Sequence, residues 1–148
     1  MSGETGEIKI RPMEQQDIDG IFQIDRKIGG MERAFTYEDM IDTFIGGEVG
    51  CSFVAEAGGE VIGFVLAAVN YVPEQVTEVC TIQVVGVDPD YRRRGIARGL
   101  IEALAENCRE KGLKSIRVLV DERDPQLRGL FEAIDFRRGR LIDYSRAP

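Results

Sequence analysis

The chain has 148 residues, 43% of them hydrophobic and 30% charged, which suits one globular domain with a core of its own. The net charge of −7 argues against a nucleic-acid partner, yet it is unevenly spread: residues 1–90 hold 5 Lys/Arg and 17 Asp/Glu (−12), and residues 91–148 hold 14 and 9 (+5). With no histidine and only Cys51, Cys80 and Cys108, the chain excludes Ser-His and Cys-His nucleophiles, histidine bases and disulfide frameworks, and no metal is expected.

No run approaches the length of apolar residues that a membrane span needs, and Met1–Gly6 is short, polar and acidic, unlike a signal peptide. A cytoplasmic protein without a membrane partner is the expectation. Residues 1–148 read as a single domain, with 1–6 as a loose lead-in. Glu7–Arg11 alternates polar and apolar, with Ile8 and Ile10 on one face, and predicts a first strand ended by Pro12. Ile18, Ile21, Phe22 and Ile28 predict a helix over about 14–27, stopped by Gly29-Gly30. Thr36-Tyr37-Glu38-Asp39 resembles a capping box before a short helix carrying Met40, Ile41, Phe44 and Ile45. Cys51–Ala57 and Glu60–Asn70 predict a hairpin turning at Gly58-Gly59. Glu78–Val87 predicts the next strand, broken by Asp88-Pro89-Asp90. Ile96, Leu100, Ile101, Leu104 and Cys108 mark one face of a helix over about 95–111, and Ser115–Val120 a strand. Asp124-Pro125 opens another helix, with Leu127, Leu130, Phe131 and Ile134 as its buried stripe. Arg137–Arg146 predicts a last strand. The class is α/β: a mixed sheet of about six strands flanked by about four helices.

The chemistry concentrates in Val84–Leu100. An apolar strand runs into a turn, and Arg92-Arg93-Arg94-Gly95-Ile96-Ala97 then opens a long helix. The first turn of a helix offers unpaired N–H donors and the positive end of the dipole. Gly95 and Ala97 let a bulky anion reach the backbone, and arginines add charge-assisted donors, so the segment suits a phosphate group. Neither GxxxxGK[ST] nor GxGxxG is present. The competing reading is an arginine-rich helix start facing water. Gly86, inside an apolar strand, predicts either a bulge that frees backbone groups for an extended ligand or a close packing contact.

These residues resemble the GNAT superfamily of N-acetyltransferases. The family motif (Arg/Gln)-x-x-Gly-x-(Gly/Ala) matches Arg92–Ala97, preceded by the typical Val87-Asp88-Pro89-Asp90-Tyr91, and Leu130–Phe136 looks like its LYExxGF segment. The resemblance implies acetyl-CoA as cosubstrate, with its pyrophosphate on Arg93 to Arg98, Arg92 being the motif's first residue. It implies that the pantetheine arm pairs with Val85, Gly86 and Val87. An asparagine that often touches that arm in the family is replaced by Asp124, which suits a cap equally well. The implied activity is acetyl transfer to a primary amine by direct attack on the thioester, with a backbone N–H near Val85 stabilising the developing oxyanion.

The chain departs from the family at the chemical groups. The usual acid is the tyrosine of LYExxGF, and Phe131 stands there without a hydroxyl. The position of a glutamate base in some members is Leu119. Glu78 is the remaining base candidate and Tyr144 the remaining acid; the alternatives are a strand-end glutamate in water and an ordinary strand tyrosine, with water as the base. The three cysteines read as core packing rather than acyl carriers. Arg137-Arg138-Gly139-Arg140 reads either as a contact for the 3′-phosphate of coenzyme A or as a surface turn. A rival from another class is a non-catalytic acetyl-CoA sensor or interaction module. Acidic residues Glu32, Glu38, Asp39 and Asp42 either guide an amine or form solvated helix faces. The acceptor's identity is open, and homodimers are common in families of this kind.

Overall fold

A computed structural model describes residues 7–29, 44–45, 50–72 and 77–148. The short helix expected after Thr36 and the acidic positions 32, 38, 39 and 42 lie outside the described residues. Strand β1 (Ile8–Pro12) leads through a 3-10 turn (Gln15–Asp17) into helix α1 (Ile18–Gly29). Strands β2 (Phe53–Ala57), β3 (Glu60–Val72) and β4 (Thr77–Val87) follow, then a 3-10 turn (Pro89–Tyr91), helix α2 (Ile96–Glu110), strand β5 (Ile116–Val118) and helix α3 (Pro125–Ala133). The strands lie in the order β1-β2-β3-β4-β5, antiparallel except for β4 and β5. A parallel pair needs a crossover, which α2 supplies.

Strand alternation divides the core between the two faces. Val54, Phe64, Leu66 and Ala68 pack with Ile21 and Ile24 of α1, whereas Phe53, Ala55, Val65, Ala67, Cys80 and Ile82 pack with Leu100, Leu104 and Cys108 of α2 and Phe131 of α3. Gly58 and Gly59 turn the β2–β3 hairpin with φ of +59° and +84°, a conformation open to glycine. At the β1 end, Arg11 donates to both oxygens of buried Asp17 at 2.9 and 2.8 Å and also pairs with Glu56, tying the 3-10 turn to β1 and β2. Both carboxylates hold the Arg11 guanidinium above its ordinary pKa, the hydrogen bond to Asp17 contributing most.

The sheet has five strands among the described residues rather than six. Arg137–Arg146 forms no strand: it runs exposed, outside the described ladders. The pattern favoured a strand, but a strand also needs an edge to pair with. Three α-helices are described instead of about four. The three cysteines are free and buried, as core packing required, with the sulfurs of Cys51 and Cys80 3.1 Å apart. A hydrogen bond with Cys108, together with burial, pushes the Cys51 thiol up to about 11. No helix among the described residues is long and apolar enough to cross a membrane, and no group of three or more His, Cys, Asp or Glu among them is arranged to hold a metal ion.

Candidate active site

The site is made by a mismatch within β4. Its first half is paired on both sides: Cys80–Ile82 matches Ala67–Val69 of β3 and Ile116–Val118 of β5. One extra residue then enters, because Leu66 pairs with Val84 and the next residue, Ala67, pairs with Ile82. The bulge is therefore at Gln83, and Gly86 pairs regularly with Phe64. Of the two readings of Gly86, the packing contact is the one the structure bears out; the bulge lies in the same strand, three residues earlier. Gly86 is a packing glycine: a Cβ there would sit 2.9 Å from the Phe64 ring and 3.2 Å from Ile28 Cδ1.

The extra residue changes which backbone groups face outward. Before it, the Cys80 N–H bonds Ser115 O on the β5 side; after it, the Asp88 N–H bonds Ile62 O on the β3 side. Even-numbered residues thus point toward β5 below Gln83 and toward β3 above it. Val85 and Val87 consequently turn their N–H and C=O toward the β5 side. Their side chains confirm the switch, since both pack with the same cluster as Cys80 and Ile82. Pairing with β5 ends at Ile82–Val118. Beyond that point no pairing between the two strands is described, and the groups of Val85 and Val87 have no partner strand on that side among the described residues.

The helix beyond the gap is left open in a matching way. Gly95 holds φ +75° at the start of α2, where a Cβ would meet nothing within 4 Å but would be strained. There is no side-chain cap and no acidic residue in the first turn. The N–H groups of Gly95 to Arg98 precede the first helical bond, Gly99 N to Gly95 O at 2.9 Å. Arg92, Arg93, Arg94 and Arg98 are exposed around this start, and Arg94 lies over the Tyr91 ring at 5.0 Å. Asp88 fixes the approach. Its carboxylate accepts from the Asp90 N–H at 2.9 Å and from Lys27 Nζ of α1 at 2.9 Å. Burial pushes Asp88 up, but the Asp90 N–H and Lys27 outweigh it and hold the group below its ordinary value.

An open strand edge leading to an uncapped, arginine-ringed helix start suits an extended chain that ends in phosphates. The cradle residues Val85, Gly86, Val87 and Arg92–Arg98 are brought together, Gly86 as packing beneath the edge. The other positions are not. Glu78 is exposed and opposite Tyr71, seven residues before Val85, a separation of roughly 20 Å along the strand. Tyr144 is 88% exposed on the unpaired C-terminal segment. Phe131 is buried in the core, edge-to-face with Phe136 at 5.0 Å. Asp124 caps α3, accepting from the Leu127 N–H at 3.0 Å. Sequence reasoning missed Gln83, whose role depends on register, and the Lys27–Asp88 link, whose partners lie 61 residues apart.

The GNAT acetyltransferase family model matches residues 18–136. A mycothiol acetyltransferase of Thermobispora bispora is 33% identical over 87 residues, 58% of this chain but 30% of the relative, so the chain spans less than a third of that protein's length. An aminoglycoside N-acetyltransferase, AAC(6')-Iy, solved in complex with CoA, superposes with TM-score 0.78 at 22% identity, covering 95% of each chain. A ribosomal-protein-alanine N-acetyltransferase from Brucella melitensis gives 0.76 at 18% identity, over 96% of this chain and all of the other. At such identities the structural matches speak for the fold, whereas the family match spans most of the sequence and both halves of the cleft. The chain belongs to the GNAT acetyltransferase family.

Proposed function

We propose that the protein is an N-acetyltransferase that moves an acetyl group from acetyl-CoA to a primary amine. The observation that carries this reading is the parity switch at Gln83, which aims Val85 and Val87 into a gap that ends at the uncapped start of α2. In this reading the pantetheine amides pair with Val85 and Val87, and the diphosphate lies on the N–H groups of Gly95–Arg98 with arginine support. Family membership supports it, as does the CoA complex of a structural neighbour.

The chemistry asks little of the side chains. The amine must arrive unprotonated, although a lysine-type ammonium has a pKa near about 10.4. Its nitrogen attacks the thioester carbonyl carbon, the C–S bond breaks, and the proton lost by nitrogen ends on the CoA thiol. The Val85 N–H, fixed by the strand, stabilises the oxygen as charge develops. Glu78, Tyr144 and Phe131 do not meet in the cleft of one chain, so in this reading water takes the ammonium proton before the attack. The names of the relatives and neighbours span a mycothiol enzyme, aminoglycoside enzymes and a ribosomal-protein-alanine enzyme. The acceptor panel follows from them: aminoglycosides, small thiol-sugar amines and peptides with a free N-terminal alanine.

The same absence of an acid–base pair favours a second reading, an acetyl-CoA-binding module without turnover. Thermal shifts with acetyl-CoA, ATP and NAD test the cradle: stabilisation specific to acetyl-CoA is expected, and an equal response to all three overturns both readings. Thiol release across the amine panel separates them. Amine-dependent release supports the transferase; tight binding without it supports the module.

A further inference from the structure

We propose that the amine acceptor is a free amino acid with an apolar side chain, its carboxylate held by Arg117 and its side chain resting on Leu119. The proposal rests on the transferase reading and extends it to the acceptor side. The two residues share one face of the sheet. Ile116, Val118 and Val120 pack with Cys80, Ile82 and the α2 cluster. Alternation therefore turns Arg117 and Leu119 to the opposite face. The register agrees: Arg117 pairs with Thr81, and Thr81 with Ala68, which packs in one cluster with Ile21 and Ile24 of α1. Val84, the residue between the bulge and Val85, belongs to that cluster too.

The placement matches what an acceptor needs. In the transferase reading the thioester lies at Val85, near the end of β5. Leu119 directly follows the last paired residue, Val118, and is 77% exposed. A leucine so exposed gains by contact with an apolar group. Arg117 lies two residues back, roughly 7 Å along the strand. It is half-buried and forms no ion pair among the described residues. The next carboxylate in the chain, Asp121, is taken by Arg123, which donates to its two oxygens at 3.2 and 3.1 Å. A half-buried guanidinium has lost part of its hydration, and its planar fork matches a carboxylate. An acceptor with several cationic groups, such as an aminoglycoside, meets the same charge as repulsion. In an amino acid the carboxylate, amine and side chain diverge from one carbon. Arg117 takes the first, the thioester meets the second and Leu119 the third. The amine nitrogen forms its bond to the acetyl carbon as the C–S bond breaks, and the proton it then loses ends on the CoA thiol.

Thiol release from acetyl-CoA is compared for L-leucine, L-leucinamide and kanamycin. Leucinamide lacks the carboxylate charge, and its amine, the weaker base, is unprotonated in larger share, so chemistry alone favours it. The expected KM for leucine is nonetheless at least about tenfold below that for leucinamide, with kanamycin poorer still. Arg117→Gln should raise the leucine KM by about tenfold or more and change kcat less. It should leave the leucinamide KM and the calorimetric affinity for acetyl-CoA within about twofold, which a general fault of folding would not. Leu119→Asn should raise the KM for leucine but not for glycine. A wild type that prefers leucinamide, kanamycin or any acceptor other than a free amino acid would overturn the proposal. So would an unchanged leucine KM in Arg117→Gln. If no amine releases thiol, the transferase reading itself fails, and calorimetry of leucine on the wild type with acetyl-CoA present decides. Binding that Arg117→Gln abolishes keeps the site, and no binding overturns it.

Discussion

The two helix starts on the α2–α3 face treat the same electrostatic problem in opposite ways. At α3, Asp124 accepts from the Leu127 N–H and Pro125 brings no donor, so the chain satisfies its own helix start. At α2, glycine stands at the cap, no side chain bonds to the first turn, and arginines surround the free donors. A helix N-terminus becomes an anion site only where the sequence withholds its own cap. Gly95→Glu should therefore give the largest effect in the molecule. Its carboxylate would occupy the space of a diphosphate, repel it and strain the backbone, at a conformational cost of about 1–2 kcal/mol. Acetyl-CoA affinity measured by calorimetry should fall by about 100-fold or more, equal to about 2.7 kcal/mol, while the fold persists. Retained affinity would show that the phosphates bind elsewhere.

β4 repeats the contrast within one strand. Its lower half is matched on both edges, and its upper half only toward β3. Gly86 lies in the upper half but serves the core, filling the gap between Phe64 and Ile28. Gly86→Ala should cost about 1–3 kcal/mol through overpacking, visible in urea unfolding. Phe64→Leu in the same chain should return part of that loss, because it removes the ring atoms nearest the new methyl. No recovery would mean that the glycine answers a backbone need instead. Asp124→Ala is the smaller control for the capped helix. It should cost about 1 kcal/mol, a few degrees in Tm, and leave acetyl-CoA affinity within about twofold.

Much of this arrangement was legible in the sequence because it is local. Gly95, the arginines and the apolar stripe of α2 lie within one run of residues, and Asp124-Pro125 declares its own cap. Register is not local. The bulge at Gln83 depends on how β4 meets β3, and no feature of Gln83 itself marks it, whereas a glycine three residues later drew attention for its missing side chain. The C-terminal segment shows the same limit from another side. Leu141, Ile142 and Tyr144 carry a strand pattern, but whether a strand forms depends on which edge they meet. The catalytic candidates were read by residue type, and type does not report distance: Glu78 shares a strand with Val85 yet stands far down it.

The smallest expected effect concerns the link between α1 and the approach to α2. The hydrogen bond to Asp88 raises the Lys27 ammonium above its ordinary 10.5. Asp88 is held below its ordinary 3.8, its burial outweighed by the Asp90 N–H and Lys27. A carboxylate depressed in the folded state adds stability above its unfolded pKa, and that stability is lost as pH falls through the folded value. A raised ammonium adds stability below its unfolded pKa, and that stability is lost as pH rises through the folded value. The link is therefore complete between about pH 4 and about pH 10.5 and fades outside that window. Lys27→Met should lower stability, and acetyl-CoA affinity by a small factor, uniformly from about pH 5 to about pH 9. The gap between wild type and variant should begin to close as pH falls below about 4 and vanish once Asp88 has taken up its proton in both chains. A gap that stayed constant into acid would show that the loss does not come from the Lys27–Asp88 charge pair.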